Sequence, residues 1–301
     1  MTARVLDGKA VARQIYDEVS RAVAARVAAG GSRPKLATVV VGDDPASGLY
    51  VELKQRNAKR VGIESEDHRL PAHTTTEELL NLVERLTADE SVSAILVQQP
   101  APRQIDMTRV ILALDPVKDV DGFHPINAGL VALALPGGVE PCTPAGIIEL
   151  LERAGIQIEG ANAVVVGRSN LVGKPTALLL LRRNATVTIC HSRTRDLASH
   201  TRNADILVAA AGKANLISRD MVKPGAAVVD VSTNWLDGRQ VGDLGPGVDE
   251  VAGWLTPNPG GVGPMTRAML IKNTYEAEVR RRPLWPTRRR SRTSRGKAAS
   301  A

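Results

Sequence analysis

Aromatic side chains are scarce in this chain: 301 residues hold one Phe, three Tyr and three Trp. Cores must therefore be built from Leu, Val, Ile and Ala, which favours α/β layering over an aromatic-rich sandwich. Cysteine is equally sparse. Cys142 and Cys190 stand alone with no C-x-x-C spacing, which argues against a disulfide scaffold or a zinc site and for a reducing, cytoplasmic setting. No apolar run approaches the ~20 residues of a membrane span. The start, MTARVLDGKAVARQIYDEV, lacks the continuous apolar stretch of a secretory signal. No internal repeat is visible. Basic charge is also absent where the total of +7 suggests it. Residues 280–301 carry eight Arg and one Lys with no acid, and those nine cations leave the remaining body near −2. Residues 281–301 read as a disordered basic tail. Such a tail can touch nucleic acid, but a solvated extension without a partner is the favoured reading, and no nucleic-acid motif supports a binding module.

At this length the chain accommodates two domains. Apolar strands alternate with amphipathic helices, so the sheets should be mostly parallel. A helix is expected over Asp7–Ala29, stopped by Gly30-Gly31. A buried strand follows at Lys35–Val41, then a helix from Asp44-Pro45 to about Val61. Thr75-x-x-Glu78 is a capping box opening a helix to about Thr87. Ser93–Val97 is a strand, Asp115–Asn127 an irregular polar loop, and Thr143-Pro144 opens a helix to about Ala154. Further strands are expected at Asp205–Ala209 and Ala227–Val231, and a final helix at about Met265–Arg280 that returns to the first domain. The division expected is 1–140 for a catalytic domain with that returning helix (265–280) and 141–264 for a Rossmann-like, doubly wound nucleotide-binding domain, with a cleft between them.

Residues 163–194 carry the clearest functional signal. The strand Ala163–Val166 meets Gly167, then Gly173, a helix from about Pro175 and a strand at Thr186–Cys190. Such a strand–turn–helix–strand unit presents backbone N–H groups at a helix start to an anion. Five residues separate the two glycines, so this is not G-x-G-x-x-G, and Pro175 stands where a Walker loop needs Ser or Thr. On the glycines alone an ordinary βα turn is as good a reading. Arg168, Ser169, Ser192 and Arg193 tip it. An NAD site usually has an acid after the second strand, whereas His191-Ser192-Arg193-Thr194 offers hydroxyls and a guanidinium suited to the 2′-phosphate of NADP.

Other candidates are ambiguous one by one. Tyr50 and Lys54 share a helix face with Ser47; a desolvated lysine can move protons near neutrality, but a surface Lys beside a half-buried Tyr is the commoner case. Gln98 lies at the carboxyl end of a strand, where α/β ligands bind, or simply ends the strand. Asp121 in D-V-D-G is a ligand or an Asx-turn residue. Gly260, Gly261, Val262, Gly263 and Pro264 let backbone approach a ligand, or form a tight turn.

The order of these features resembles the bifunctional bacterial methylenetetrahydrofolate dehydrogenase/methenyltetrahydrofolate cyclohydrolase family. The matching stretches are VGDDPASGLYVELK (41–54), ILVQQPAP (95–102), KDVDGFHPIN (118–127), PCTPAGI (141–147), VVVGRSNLVGKP (164–175), HSRT (191–194) and PNPGGVGPMTRAML (257–270). The resemblance implies oxidation of 5,10-methylenetetrahydrofolate with NADP and hydrolysis of the methenyl product to 10-formyltetrahydrofolate, in one cleft, by a homodimer, with no metal. It implies Lys54 as the proton-handling lysine, Tyr50 stacking on the folate, Gln98 positioning the lysine and Asp121 binding the pterin's amide and amine edge. By the same resemblance Gly260–Pro264 line the folate site, and Gly167, Arg168, Ser169, Ser192 and Thr233 contact NADP, with Arg193 adding charge. The chain departs from the family pattern at Gln99 and Ala101, where leucines are usual, at Val231-Ser232-Thr233-Asn234 in place of V-G-I-N, and at Gly242–Pro246 in place of G-D-V-D-F. A monofunctional dehydrogenase is the enzyme alternative, and nucleic-acid binding through the tail the non-enzymatic one.

Overall fold

The computed structural model describes residues 3–42 and 45–280, the side chains of residues 45–51 excepted. The basic tail expected over 281–301 lies outside the described residues. The first half runs β1 (Arg4–Val5), α1 (Gly8–Ala28), β2 (Lys35–Val41), α2 (Pro45–Arg60), β3 (Glu64–Leu70), α3 (Thr76–Ala88), β4 (Ala94–Val97), α4 (Met107–Ala113) and α5 (Pro125–Ala132). Asp7 caps α1, its Oδ1 accepting the N–H groups of Lys9 (2.9 Å) and Ala10 (3.0 Å). The capping box is present: Thr75 Oγ1 accepts the Glu78 N–H at 3.3 Å, and Glu78 Oε2 accepts the Thr75 N–H at 2.8 Å. Among the described residues β3, β2 and β4 form a parallel sheet in that order. Residues beyond Lys118 extend it, with the Ile95 N–H donating to the Lys118 carbonyl at 2.7 Å and a bridge between Ile95 and Asp119.

The second half runs α6 (Cys142–Arg153), β5 (Asn162–Val166), α7 (Gly173–Arg182), β6 (Thr186–Cys190), α8 (Leu197–Thr201), β7 (Ile206–Ala209), β8 (Ala227–Asp230), β9 (Asn234–Leu236), β10 (Arg239–Val241), β11 (Trp254–Leu255) and α9 (Val262–Val279). The order β1-β11-β8-β7-β5-β6 makes a parallel sheet, with β9 and β10 a separate hairpin. Leaving β1 aside, its strands follow the doubly wound order 2-1-3-4-5, whose direction reverses between β5 and β7. Ligands of such sheets lie outside the carboxyl ends of the strands at that reversal.

One apolar core joins the halves. Ile15, Val19 and Val23 of α1, Ile147 and Leu151 of α6 and Met265, Leu270 and Ile271 of α9 pack with Leu36 and Leu96 of the smaller sheet and Val165 and Val208 of the larger. The two sheets are thus fixed to a common helical layer.

Several elements differ from expectation. β3 (ESEDHRL) is an edge strand with one neighbour, so it lacks the apolar run that marks β2. The segment 115–127, read as irregular, holds the start of α5, capped by His124, whose Nδ1 accepts the Ile126 N–H at 3.1 Å. The last helix begins at Val262 rather than Met265, so Val262, Gly263 and Pro264 form its first turn instead of a loop. β1 pairs with β11 in the larger sheet, so the N-terminal strand joins the sheet of the second half rather than that of the elements that directly follow it in sequence.

Candidate active site

Lys54 lies on α2 and Gln98 directly follows β4, whose ladder it prolongs by donating its N–H to the Val39 carbonyl at 2.8 Å. The fold closes the 44-residue separation: Lys54 Nζ donates to Gln98 Oε1 at 3.0 Å. Gln98 Nε2 donates to the Gln99 carbonyl, which turns the amide oxygen toward the lysine. Asp121 stands beside this pair, half-buried. Burial raises its carboxyl above the ordinary aspartate value, while the Lys54 charge and the nearby Cys142 thiol act in the opposite direction. Tyr50 and Ser47 belong to the same helix, but their side chains lie outside the described residues.

The bonds that shape the turn around Asp121 go to Asp119. Its Oδ2 accepts the His124 N–H at 2.7 Å and Asn127 Nδ2 at 3.0 Å, and its carbonyl accepts the Gly122 N–H at 3.2 Å. Burial raises Asp119 to about 6, with the neighbouring Asp121 charge adding to the rise and the two bonds opposing it. Cys142, at the start of α6, donates its thiol to the Val120 carbonyl at 3.3 Å. Its burial, then the Asp121 charge, push the thiol well above the usual cysteine range, so it stays protonated. Asn273 of α9 donates to the Val120 and Glu140 carbonyls at 3.0 and 3.1 Å. Asp119 and Cys142 escaped sequence reasoning; the first acid of D-V-D-G was the available signal for Asp119.

The glycine turn closes on itself. Gly167 has φ +143°, and a Cβ there would stand 2.2 Å from the Ala210 carbonyl oxygen. A Cβ on Gly173 would stand 2.3 Å from the Gly167 carbonyl oxygen. Neither position tolerates a side chain without backbone movement. The helix start is not bare, contrary to expectation. Ser169 Oγ accepts the Val172 and Gly173 N–H groups at 3.2 and 3.3 Å, and the Ser169 carbonyl accepts that of Lys174 at 3.1 Å. Those N–H groups are therefore satisfied within the chain, and the groups left exposed there are the side chains of the turn before the helix. Val166 and Cys190 are in register, and the Gly167 N–H donates to the Cys190 carbonyl at 2.9 Å, which sets the turn of Arg168 and Ser169 beside that of Ser192 and Arg193. All four side chains are exposed. The first acid after β6, Asp196, caps α8 through the Ser199 N–H at 3.3 Å.

Thr233, Gln240, Asn258 and residues 260–264 line a cavity of about 190 Å³ together with Lys9 and Arg267. Gly8 is pressed against this loop, since a Cβ there would lie 1.8 Å from the Gly261 carbonyl oxygen. The Gly8 and Lys9 contributions were not anticipated. A second cavity of about 640 Å³ spans the domains, with Gln99, Gly122 and Phe123 on one side and Asn170, Leu171 and Lys174 on the other. Lys54, Gln98 and Asp121 line neither cavity, although their chain neighbours Gln99 and Gly122 line the larger. The link from Asp121 to the glycine loop runs through Cys142 and Thr143, whose Oγ1 lies 2.9 Å from Thr266 Oγ1 in α9. Among the described residues no group of three or more His, Cys, Asp or Glu is placed to hold a metal ion.

Comparison with known proteins gives a consistent result. Residues 6–121 match the model for the tetrahydrofolate dehydrogenase/cyclohydrolase catalytic domain, and residues 141–282 the model for the NAD(P)-binding domain of the same proteins. The chain is 54% identical over 279 residues to the "Bifunctional protein FolD" of Sorangium cellulosum, covering 92% of this chain and 97% of the relative. It is 54% identical over 282 residues to that of Moorella thermoacetica, covering 93% and 100%. Among solved structures, the bifunctional FolD dehydrogenase/cyclohydrolase of Campylobacter jejuni superposes with a TM-score of 0.90 at 44% identity, over 93% of this chain and 99% of that one. The Trypanosoma brucei dehydrogenase-cyclohydrolase, solved with NADP and an inhibitor, gives 0.88 at 38% identity, over 93% and 99%.

Proposed function

The chain belongs to the tetrahydrofolate dehydrogenase/cyclohydrolase family, and on that premise we propose that Lys54, Gln98 and Asp121 form the chemical centre for its two reactions. It is an NADP-dependent enzyme that oxidises 5,10-methylenetetrahydrofolate to the 5,10-methenyl compound and hydrolyses that to 10-formyltetrahydrofolate. The observation that carries the assignment of the centre is the 3.0 Å bond from Lys54 Nζ to Gln98 Oε1 beside the half-buried Asp121.

The nucleotide end fits NADP. Gly167 and Gly173 let the turn fold tightly on itself where any Cβ would strike a backbone carbonyl, Arg168 and Arg193 bring two cations to adjoining turns, and no carboxylate opposes a 2′-phosphate there. Ser169, Ser192 and Thr233 complete this set. When bound, NADP supplies the hydride acceptor.

Asp121 accepts the adjacent amide and amine donors of the pterin edge, a pair that suits a two-oxygen acceptor. Lys54 serves the hydrolysis. In its neutral form the amine takes a proton from the water that adds to the methenyl carbon, then returns it to the ring nitrogen as the carbon–nitrogen bond breaks, while the remaining hydroxyl proton leaves to solvent as the formyl carbonyl forms. Gln98 Oε1 holds Nζ in place through both transfers. Residues 260–264 close the folate side and Tyr50 stacks on the substrate. Residues 1–140 with the returning helix act as the catalytic domain, and 141–264 as the nucleotide domain. A homodimer in the cytoplasm belongs to the same reading; both cysteines are free thiols, and no helix of the described residues is long and apolar enough to cross a membrane.

A spectrophotometric assay with methylenetetrahydrofolate, run with NADP and with NAD, tests the reading. Turnover with NADP and accumulation of 10-formyltetrahydrofolate are expected; a methenyl product that persists would indicate a dehydrogenase alone. Lys54→Ala should slow methenyl hydrolysis by at least about 100-fold, the lower range of general acid–base catalysis. Undiminished hydrolysis in that variant removes the lysine from the mechanism.

A further inference from the structure

Ser232 bonds to both neighbouring loops at the carboxyl edge of the larger sheet. Its hydroxyl donates to Asp243 Oδ2 at 2.8 Å and accepts the Gly212 N–H at 3.0 Å. Its carbonyl accepts Asn258 Nδ2 at 2.7 Å. Gly212 follows β7, Ser232 follows β8, and Asn258 follows β11 on the way to Gly260. One residue therefore ties three loops that arise from adjacent strands.

Asp243 is the other half of the device. It is 0% exposed and accepts the N–H groups of Ala211 (2.6 Å), Gly212 (3.1 Å) and Lys213 (2.8 Å), and Asn234 Nδ2 at 3.0 Å. It moulds the turn after β7 around its carboxylate. Ala210, at the head of that turn, is the residue against which Gly167 packs with no room for a Cβ. A continuous line of contacts thus runs from the Gly167 turn through 210–213 to Ser232, then to Thr233 and Asn258 on the small cavity. Glycine, usual at this position in the pattern the chain resembles, has no hydroxyl to complete that line.

We propose that Ser232 is a positioning residue for the nucleotide: its hydroxyl locks the turn after β7 to the turn after β8 and so sets Thr233 against bound NADP. The proposal rests on the NADP reading of this edge. Asp243 keeps four other donors when the hydroxyl is removed, so the turn after β7 stays folded and the loss falls on the register between the two turns.

The test is a set of two full-length variants, Ser232→Ala and Ser232→Thr, with NADP binding followed by titration and both activities followed by absorbance. Ser232→Ala should weaken NADP binding and raise its KM by about three- to tenfold, the range one net hydrogen bond covers. The ratio of dehydrogenase to methenyl hydrolysis should fall by the same factor at subsaturating NADP, because hydrolysis consumes no nucleotide. Ser232→Thr, which retains a hydroxyl, should recover most of the loss. Unchanged NADP affinity in Ser232→Ala overturns the proposal, and so does a parallel fall of both activities with a lowered Tm, which marks a structural role only. Failure of the wild type to turn over methylenetetrahydrofolate strikes the functional reading instead, while the NADP titration still reports on Ser232.

Discussion

Replacing Asp119 by Asn should flatten the pH dependence of stability between pH 4 and 7. Asp119 is 2% exposed, and its carboxyl stands at about 6, raised first by burial and further by Asp121. In an unfolded chain an aspartate titrates near 3.9. The gap of about two units, at 1.36 kcal/mol each, is about 3 kcal/mol. Its sign follows from which state holds the proton. Below pH 4 both states are protonated and the fold keeps this contribution in full. Between 4 and 6 the unfolded chain ionises while buried Asp119 keeps its proton, so stability falls as pH rises; above 6 the loss is complete. In Asp119→Asn the amide oxygen can replace Oδ2 as acceptor for His124 N–H and Asn127 Nδ2, and nothing titrates. Thermal unfolding of both proteins from pH 4 to pH 7 reads the difference. The variant should gain roughly 6 °C relative to wild type across that range, at about 2 °C per kcal/mol for a domain of this size. Any constant offset reflects the packing of the new NH₂ group and does not vary with pH. Parallel curves would refute the assignment of a buried, proton-holding carboxyl to position 119.

Two further substitutions probe the rest of the framework. Gly167→Ala forces a Cβ to within 2.2 Å of the Ala210 carbonyl oxygen; the KM for NADP should rise at least about tenfold, a shift of about 1.4 kcal/mol, with methenyl hydrolysis much less affected, and equal losses in both activities would contradict a nucleotide role for the turn. Glu278, 1% exposed, accepts from Arg26 Nη2 at 3.0 Å and from Ser93 Oγ at 2.6 Å. Glu278→Ala should cost about 3 kcal/mol by stranding these donors, and Glu278→Gln, which keeps an acceptor, should cost clearly less; equal denaturation midpoints for the two would show that the acceptor is immaterial.

Local chemistry was legible in the sequence wherever a single element carries it. The apolar runs of β2, β4 and β5, the Thr75 capping box and the glycine turn all declare themselves through residues a few positions apart. β3 did not, because an edge strand with charged residues alternating toward solvent has no apolar run to detect. The two-residue strands β1 and β11 are shorter than any pattern and exist only as additions to the larger sheet. Within D-V-D-G the turn-forming role weighed for Asp121 falls to Asp119, a distinction made by Asn127 and the His124 backbone rather than by the motif. Lys54 and Gln98 were each ambiguous alone; a hydrogen bond across 44 residues makes them a pair.

Helix α9 explains why those distant residues meet. Its 18 residues span about 27 Å at 1.5 Å per residue, and each section holds a different part of the framework. The first turn contains Val262, Gly263 and Pro264 and so presents the glycine loop to the small cavity. At mid-length Asn273 grips the Val120 and Glu140 carbonyls, which fixes the backbone on either side of Asp121 and Cys142. Near its end Glu278 takes the Ser93 hydroxyl just before β4, the strand that delivers Gln98 to Lys54. The helix also packs on α6, the first helix of the nucleotide domain, through Met265 against Gly146, where an added Cβ would come within 2.9 Å. The glycine loop at 260–264, the acid at 121 and the strand before Gln98 are therefore positioned by one helix that also packs on α6. A change in its tilt would displace all of them together, so Gly146→Ala, which wedges α6 away from α9, should lower both activities in concert, in contrast to the selective loss expected from Gly167→Ala.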